Sequence, residues 1–465
     1  MRMIFRNKKK FLTLLLFFFW ISLILAINTK ISEIQFFGQS IIKSFNALRA
    51  IIPFGGTIIV ILLSFFIFLK KKNLLQNYNS YFYLWIIYFL SQTLGLISNF
   101  ELSFLYDYNL KSENFSNYII NQLAISEIFL IILGLGTICA FYLSYYFKVE
   151  LEFLLKIILL IIFFSSISIF VHFYIKNELI SFLNLYKLIN PDPLNTIMNQ
   201  PTPRITGLSR MFAVVNLLAI SIFILKNLKT KNKILLFIFI TVFSNIIISS
   251  QSRGTLICYL VSIIFLIFFF TNKNIKQKII LVIILIMIPL ITYNLSYIIK
   301  LKNYNEIKNY NFDEQKYFLE QKYRILSTTD SGRISLWKEV LHKYNYKNLF
   351  GYGPQADRKF LSKIDDIGGF GTNVSNGFIY AFICGGYLGL VCYLIINLKN
   401  VINISRILQI KKDNNIFYYA LPATYIIFFS IRQIFENSFS LFSIDFLIVA
   451  TSIFIIEKNL KKINI

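Results

Sequence analysis

Charge is scarce in this chain. Only 15% of its residues are Asp, Glu, Lys or Arg, against 56% hydrophobic, and the mean hydropathy is +0.64. A water-facing surface needs far more polar side chains than this, so a soluble globular protein is excluded. Acids are scarcer than bases, 22 against 47, for a formal net charge of +25. The bases occur in short clusters between apolar runs rather than along one polar face, so nucleic acid is not an expected partner. Cysteine is limited to Cys139, Cys258, Cys384 and Cys392, all inside apolar stretches without metal-ligand spacing. They read as small core residues, and neither a disulfide framework nor a zinc site is implied. Histidine is limited to His172 and His342, each with an ordinary structural reading. Aromatics are plentiful, 50 Phe and 28 Tyr, but they accompany heavy Ile, Asn and Lys use, and such compositional bias carries little chemistry.

What the chain does have is apolar runs of about 17 to 25 residues, each able to cross a roughly 30 Å hydrocarbon core as a helix. They fall near 11–29, 50–69, 79–98, 119–147, 153–175, 206–225, 234–250, 255–271, 279–298, 373–396, 416–431 and 440–456. The expected fold class is an all-α polytopic membrane protein of about twelve transmembrane helices with one large loop. With every span counted, the clusters Arg6 to Lys10, Lys70 to Lys72, Lys226 to Lys233, Lys273 to Lys278, Lys399 to Lys412 and Lys458 to Lys462 share one side. Short basic loops mark the cytoplasm, so both termini are expected there. The first span follows a basic segment without a small-residue cleavage site and reads as an uncleaved anchor.

Three units follow: membrane helices over 1–298 (about nine spans), a loop subdomain over 299–372 on the far side, and membrane helices over 373–465 (about three spans). A loop of about seventy residues exceeds ordinary connection length and is often functional. Within it, Asp330 or Ser331 is placed to cap a helix whose apolar face is Ile334, Trp337, Leu341 and Tyr344, ending before the turn Gly351-Tyr352-Gly353-Pro354.

Arg204, Arg253 and Arg333 fall at membrane borders. An arginine there loses hydration and usually has an anionic partner, and its planar fork suits a phosphate or pyrophosphate. Arg253 lies between Ser252 and Gly254, small neighbours that let backbone donors approach an anion. The plain alternative is an interfacial anchor reaching the headgroups. Arg333 stands in the first turn of a helix, where a cation opposes the dipole, which favours a functional reason for it. Arg210 lies within a span and needs a partner; ligand and structural ion pair both remain open. Asp445 and Glu127 are also deep in apolar runs and read as structural partners for Arg210 or Arg253. Arg432 and Glu436 stand four apart, as an ordinary helix-end pair would.

In chain order these landmarks are Arg204-Ile-Thr-Gly207, Ser252-Arg253-Gly254, Gly332-Arg333 with Trp337, Gly351-Tyr-Gly353-Pro354, Ser375-Asn376-Gly377-Phe378 and Gly385-Gly386-Tyr-Leu-Gly389. Over roughly residues 200–400 the series resembles the O-antigen ligase and polymerase superfamily, bacterial inner-membrane enzymes that move glycans carried on undecaprenyl pyrophosphate. The resemblance implies chemistry without metal or other cofactor. Arg204, Arg253 and Arg333 would bind the donor's pyrophosphate and stabilise it as leaving group, with Arg253 and Arg333 acting in the reaction itself, and Arg210 is a further candidate for the same anion. It also implies a glycan acceptor and membrane lipids as partners, and a chain-length regulator as a further one, while the basic clusters make the large loop periplasmic. The ligase pattern has His-Asn where this chain has Ser375-Asn376. Serine is a poor general base, so the departure favours polymerase over ligase, and Asp330, His342, Asp365, Asp366 and Glu436 become the candidate bases. Gly385, Gly386 and Gly389 read as close helix packing. Two alternatives stand beside the polymerase: a ligase handing the glycan to lipid A core or protein, and a transporter of lipid-linked oligosaccharide. The transporter trails because no repeat relates the two halves.

Overall fold

The computed structural model describes residues 15–16, 18–20, 55–69, 80–99, 130–144, 151–175, 205–249, 252–306, 333–344, 348–354, 356–357, 374–409, 416–436 and 443–462. Arg204, Glu127, Asp330, Ser331, Asp365 and Asp366 lie outside them, as does most of the first span; the side chain of His172 does too. In chain order the helices are α1 (Gly55–Leu69), α2 (Ser80–Ser98), α3 (Leu130–Ser144), α4 (Leu151–Ile175), α5 (Ile205–Leu225), α6 (Thr230–Ser249), α7 (Arg253–Phe270), α8 (Ile275–Glu306), α9 (Arg333–Lys343), α10 (Gly377–Gln409), α11 (Ile416–Arg432) and α12 (Ile444–Lys462). No strand occurs among the described residues.

Five helices among these residues are long and apolar enough to cross a membrane, in α2, α6, α7, α8 and α10. Together with shorter apolar helices such as α1 and α3, they make the chain a polytopic α-helical membrane protein. The outer faces agree with that reading. Leu235 is 70% exposed and Ile275 66%, among many exposed aliphatics on α6 and α8. Such surfaces are unfavourable in water and fit lipid.

The interior is joined by aromatic contacts and a few polar ties. Trp85 of α2 meets Phe446 of α12 edge-on at 4.6 Å. Asn216 of α5 donates to Tyr259 Oη of α7 at 2.7 Å and to Ser244 Oγ of α6 at 3.0 Å. Interhelical hydrogen bonds of this kind hold membrane helices where burial alone supplies no drive.

Successive helices from α5 to α8 are joined by short turns and run alternately up and down. The starts of α5, α7, α10 and α12 and the ends of α6 and α11 thereby gather at one end of the bundle. Lysines mark the other end. Lys458 of α12 pairs with Glu152 of α4 at 3.2 Å, and Lys226 lies 4.6 Å from the ring centre of Phe417.

The loop helix α9 docks on α10 through Leu336, Val340 and Tyr344, which are buried in one cluster with Tyr380, Phe382 and Ile383. Burial pushes the Tyr344 phenol above its ordinary range, so it stays a neutral donor, here to Asn348 O at 3.2 Å. Ile334, expected on the buried face, is 51% exposed. Trp337 and Leu341 flank the cluster, half-buried.

Gly385, Gly386 and Gly389 divide into two roles. Gly385 and Gly389 face α2 closely: an added Cβ would come within 2.8 and 3.2 Å of Ser91 Oγ, as close packing requires. Gly386 instead breaks α10, with φ 63° and ψ −159°. The turn at residues 349–353 enters that break, where Tyr352 N donates to Ile383 O at 2.9 Å and Gly353 N to Cys384 O at 3.0 Å. Irregular backbone is tolerated at such a depth because protein groups satisfy it.

Candidate active site

The end where the helix starts gather is built around the turn that follows α11, residues 432–436. Four elements reach it. Gly377 N donates to Gln433 O at 2.7 Å, and Asn376 Nδ2 to Ile434 O at 3.1 Å. Gly254, next to Arg253, packs so that a Cβ would lie 3.1 Å from that of Phe435. Arg333 Nη2 lies 3.4 Å from Glu436 Oε1. Asp445 Oδ2 accepts from Arg432 Nη1 at 2.7 Å and from Arg210 Nη1 at 3.0 Å.

This geometry gives Arg210 a partner, Asp445, while leaving its side chain 24% exposed, and it corrects one reading. Arg432 and Glu436 do not bond to each other through their side chains. The first turns inward to Asp445 and the second outward to Arg333. Leaving the helix at Arg432 frees the two side chains to diverge, and the backbone bond Glu436 N to Arg432 O at 2.9 Å keeps them one turn apart. Arg210, Arg253, Arg333 and Arg432 and the carboxylates of Glu436 and Asp445 thus share one end of the bundle, with cations in excess among the described residues. Such an end attracts an anion.

Ser375 and Asn376, at the position of the ligase histidine, have a clear local role. Asn376 Oδ1 accepts from Phe378 N at 2.9 Å and Ile379 N at 3.0 Å, which makes it the N-cap of α10. Ser375 is buried with φ 50°, an uncommon conformation for a non-glycine residue. Its neighbour is clamped from both sides: Val374 N donates to Asp357 Oδ2 at 3.1 Å, and Trp337 Nε1 donates to Val374 O at 2.8 Å. Trp337, read from sequence as a core residue of α9, is therefore also the hydrogen-bonding link between α9 and the start of α10.

His342 is exposed, nine residues beyond Arg333 on α9 and so about 13 Å along the helix from it. Arg253 is half-buried as the first residue of α7, after Ser252, whose hydroxyl donates to Thr255 Oγ1 at 2.9 Å. Gln433 was not singled out by sequence. Its side chain accepts from Tyr393 Oη at 2.7 Å and donates to Asn397 Oδ1 at 2.6 Å, fixing the central turn to α10. The only signal for it was a polar residue beside Arg432 at the end of an apolar run. Among the described residues no cluster of His, Cys, Asp or Glu is arranged to hold a metal ion.

The family comparison falls on this region. Residues 238–394 match the family model described as O-antigen ligase, about a third of the chain. The matched stretch runs from α6 into α10 and contains Arg253, Arg333, Ser375 and Asn376, while Arg210, Glu436 and Asp445 lie outside it. No curated protein matches the chain. Over residues 238–394 this multi-helix membrane protein is thus similar to the O-antigen ligase family.

Proposed function

We propose that the protein is a glycan polymerase that joins undecaprenyl-pyrophosphate-linked repeat units at the periplasmic face of the inner membrane. The observation that carries this reading is the meeting of Arg333 and Glu436 beside Arg253, Arg210 and Arg432 at one end of the bundle. Arg253 and Arg333 hold the donor's pyrophosphate, joined by Arg204 and Arg210. The acceptor sugar hydroxyl attacks the anomeric carbon, the new C–O bond forms as the bond to pyrophosphate breaks, and configuration inverts. Negative charge that builds on the departing pyrophosphate is met by fixed guanidinium groups, which lowers the barrier most where water is excluded. Glu436, held by Arg333, accepts the hydroxyl proton late in the step. Catalysis needs no metal or other cofactor in this scheme.

Both termini are cytoplasmic and the loop of residues 299–372 periplasmic in this proposal. An impermeant thiol reagent should label a cysteine at position 363 in intact cells. Labelling only after disruption would reverse the orientation.

The ligase alternative is favoured by the description of the matching family. Against it, the position of the ligase histidine holds Ser375, buried beside the helix-capping Asn376. Surface glycan from a deletion strain separates the two. Single repeats on the acceptor mean lost polymerisation, with any chain-length regulator left idle, whereas accumulated lipid-linked polymer means lost ligation.

A further inference from the structure

A cavity of about 470 Å³ opens at the lysine-bearing end of the bundle, remote from the arginines, between α4, α5, α6, α11 and α12. That volume is in the range of small-molecule sites, about 300 to 1,000 Å³. Its wall is apolar, with Leu159, Phe163, Leu218, Ile222 and Leu421. Its charged residues are Glu152, Lys156 and Lys226. Glu152 is answered from outside the cavity by Lys458 at 3.2 Å. The rim is left with the two positive charges of Lys156 and Lys226, both exposed. The Lys226 ammonium is steadied by the ring of Phe417, 4.6 Å away, which itself lines the cavity.

We propose that this cavity binds an anionic glycerophospholipid, with one acyl chain between α4, α5 and α11 and its phosphate against Lys156 and Lys226. An apolar slot at membrane depth with cations at its mouth matches that ligand in both parts, and basic clefts between membrane helices are known to suit acidic headgroups. The donor lipid does not meet the same description. Arg210 and Lys226 stand sixteen residues apart, at the start and just past the end of α5, about 24 Å along the helix, so a phosphate held at the arginine end cannot also reach these lysines. A lipid whose phosphate lies against these lysines is therefore a second lipid, from the opposite leaflet.

The test uses the purified full chain in detergent with Phe417→Trp as a reporter in the cavity wall, the signal of the unsubstituted protein giving the background of the native tryptophans. Phosphatidylglycerol with brominated chains is titrated against phosphatidylcholine with the same chains. The glycerol lipid should quench the reporter at lower concentration, by roughly fivefold for each lysine engaged. Lys156→Ala and Lys226→Ala should each remove about one such factor and leave the choline lipid unchanged. If Phe417→Trp does not fold, Tyr418→Trp on the same wall serves. Equal quenching by both lipids, or a preference that survives in the double lysine variant, overturns the proposal. Displacement of the brominated glycerol lipid by polyprenyl phosphate, equal in the native and double-alanine proteins, would assign the cavity to an isoprenoid chain instead.

Discussion

Glu436 Oε1 lies 3.4 Å from Arg333 Nη2, joining the turn after α11 to the first residue of the loop helix α9 across 103 residues of sequence. Both side chains remain partly open, 22% and 29% exposed, so the pair is accessible to a substrate. Arg333→Ala should reduce glycan transfer by the loss of a charge-assisted contact, about 1.5 to 3 kcal/mol, or roughly ten- to a hundredfold. Glu436→Gln should reduce turnover by about a hundredfold or more if the carboxylate is the base. Neither change should move thermal stability far, because a partly exposed ion pair contributes about 1 kcal/mol or less. In vitro assembly from purified lipid-linked units measures the first two quantities, and thermal unfolding in detergent the third. Full activity in Glu436→Gln would remove this residue from the chemistry.

Arg253 should show the difference between charge and shape. Arg253→Ala is expected to abolish transfer while the protein stays inserted and abundant. Arg253→Lys should recover only part of the activity, since an ammonium cannot make the bidentate contact of a guanidinium. Equal rates for the unsubstituted protein and the Arg253→Lys variant would mean that only the charge matters.

Asp445 should behave as a structural residue. Its carboxylate is 1% exposed and answers Arg432, itself 4% exposed, so removing it takes a close counter-charge from a buried cation. Asp445→Ala is expected to destabilise the protein by about 3 to 5 kcal/mol. Arg210→Ala should cost less, because Arg210 is 24% exposed and its loss leaves Asp445 paired with Arg432. Abundance in membranes and melting temperature should rank the two variants in that order.

Ser375 and Asn376 should separate in the same assay. Ser375→Ala keeps a side chain of similar size and should change turnover little, whereas Ser375→Val should destabilise, since a β-branched residue is strained at φ 50°. Asn376→Ala removes the cap of α10 and its bond to Ile434 O, for a loss of about 0.5 to 2 kcal/mol. A hundredfold loss of turnover in Ser375→Ala without loss of stability would return the chemistry to the serine.

Gly386 should tolerate nothing larger. A Cβ there would collide with the backbone of Leu349, and the residue has φ 63°. Gly386→Ala should expel the turn at residues 349–353 from the break in α10 and lower the melting temperature more than Gly389→Ala, where the nearest groups are Ala381 O at 3.0 Å and Ser91 Oγ.

Much of the site was legible as a set of parts. Arg253 and Arg333 announce themselves by residue type, small neighbours and position at the borders of apolar runs, and Asn376 by the family resemblance. Arg210 and Asp445 do so by being charged where charge is costly. Their grouping was not legible. Arg432 and Glu436 fit a helix-end pair by spacing, and only the turn after Arg432 sends one to Asp445 and the other to Arg333. The loop helix shows the same ambiguity. Ile334, Trp337, Leu341 and Tyr344 satisfy a helical stripe, but so do Leu336, Val340 and Tyr344. The choice is made where Tyr344 packs at 4.4 Å on Phe382 and Trp337 reaches Val374 O.

By itself, the sequence determined that this protein lives in a membrane as helices, because hydropathy summed over some twenty residues decides partition into lipid whatever the neighbours are. It determined as well which arginines stand at the borders, since a border is a local property of the apolar runs. Tertiary structure alone decided which carboxylate answers which arginine, that Gly386 breaks a helix instead of packing one, and that Gln433 ties the central turn to α10. Each of these depends on groups brought together from distant parts of the chain, and contact energies at about 3 Å have no counterpart in local composition.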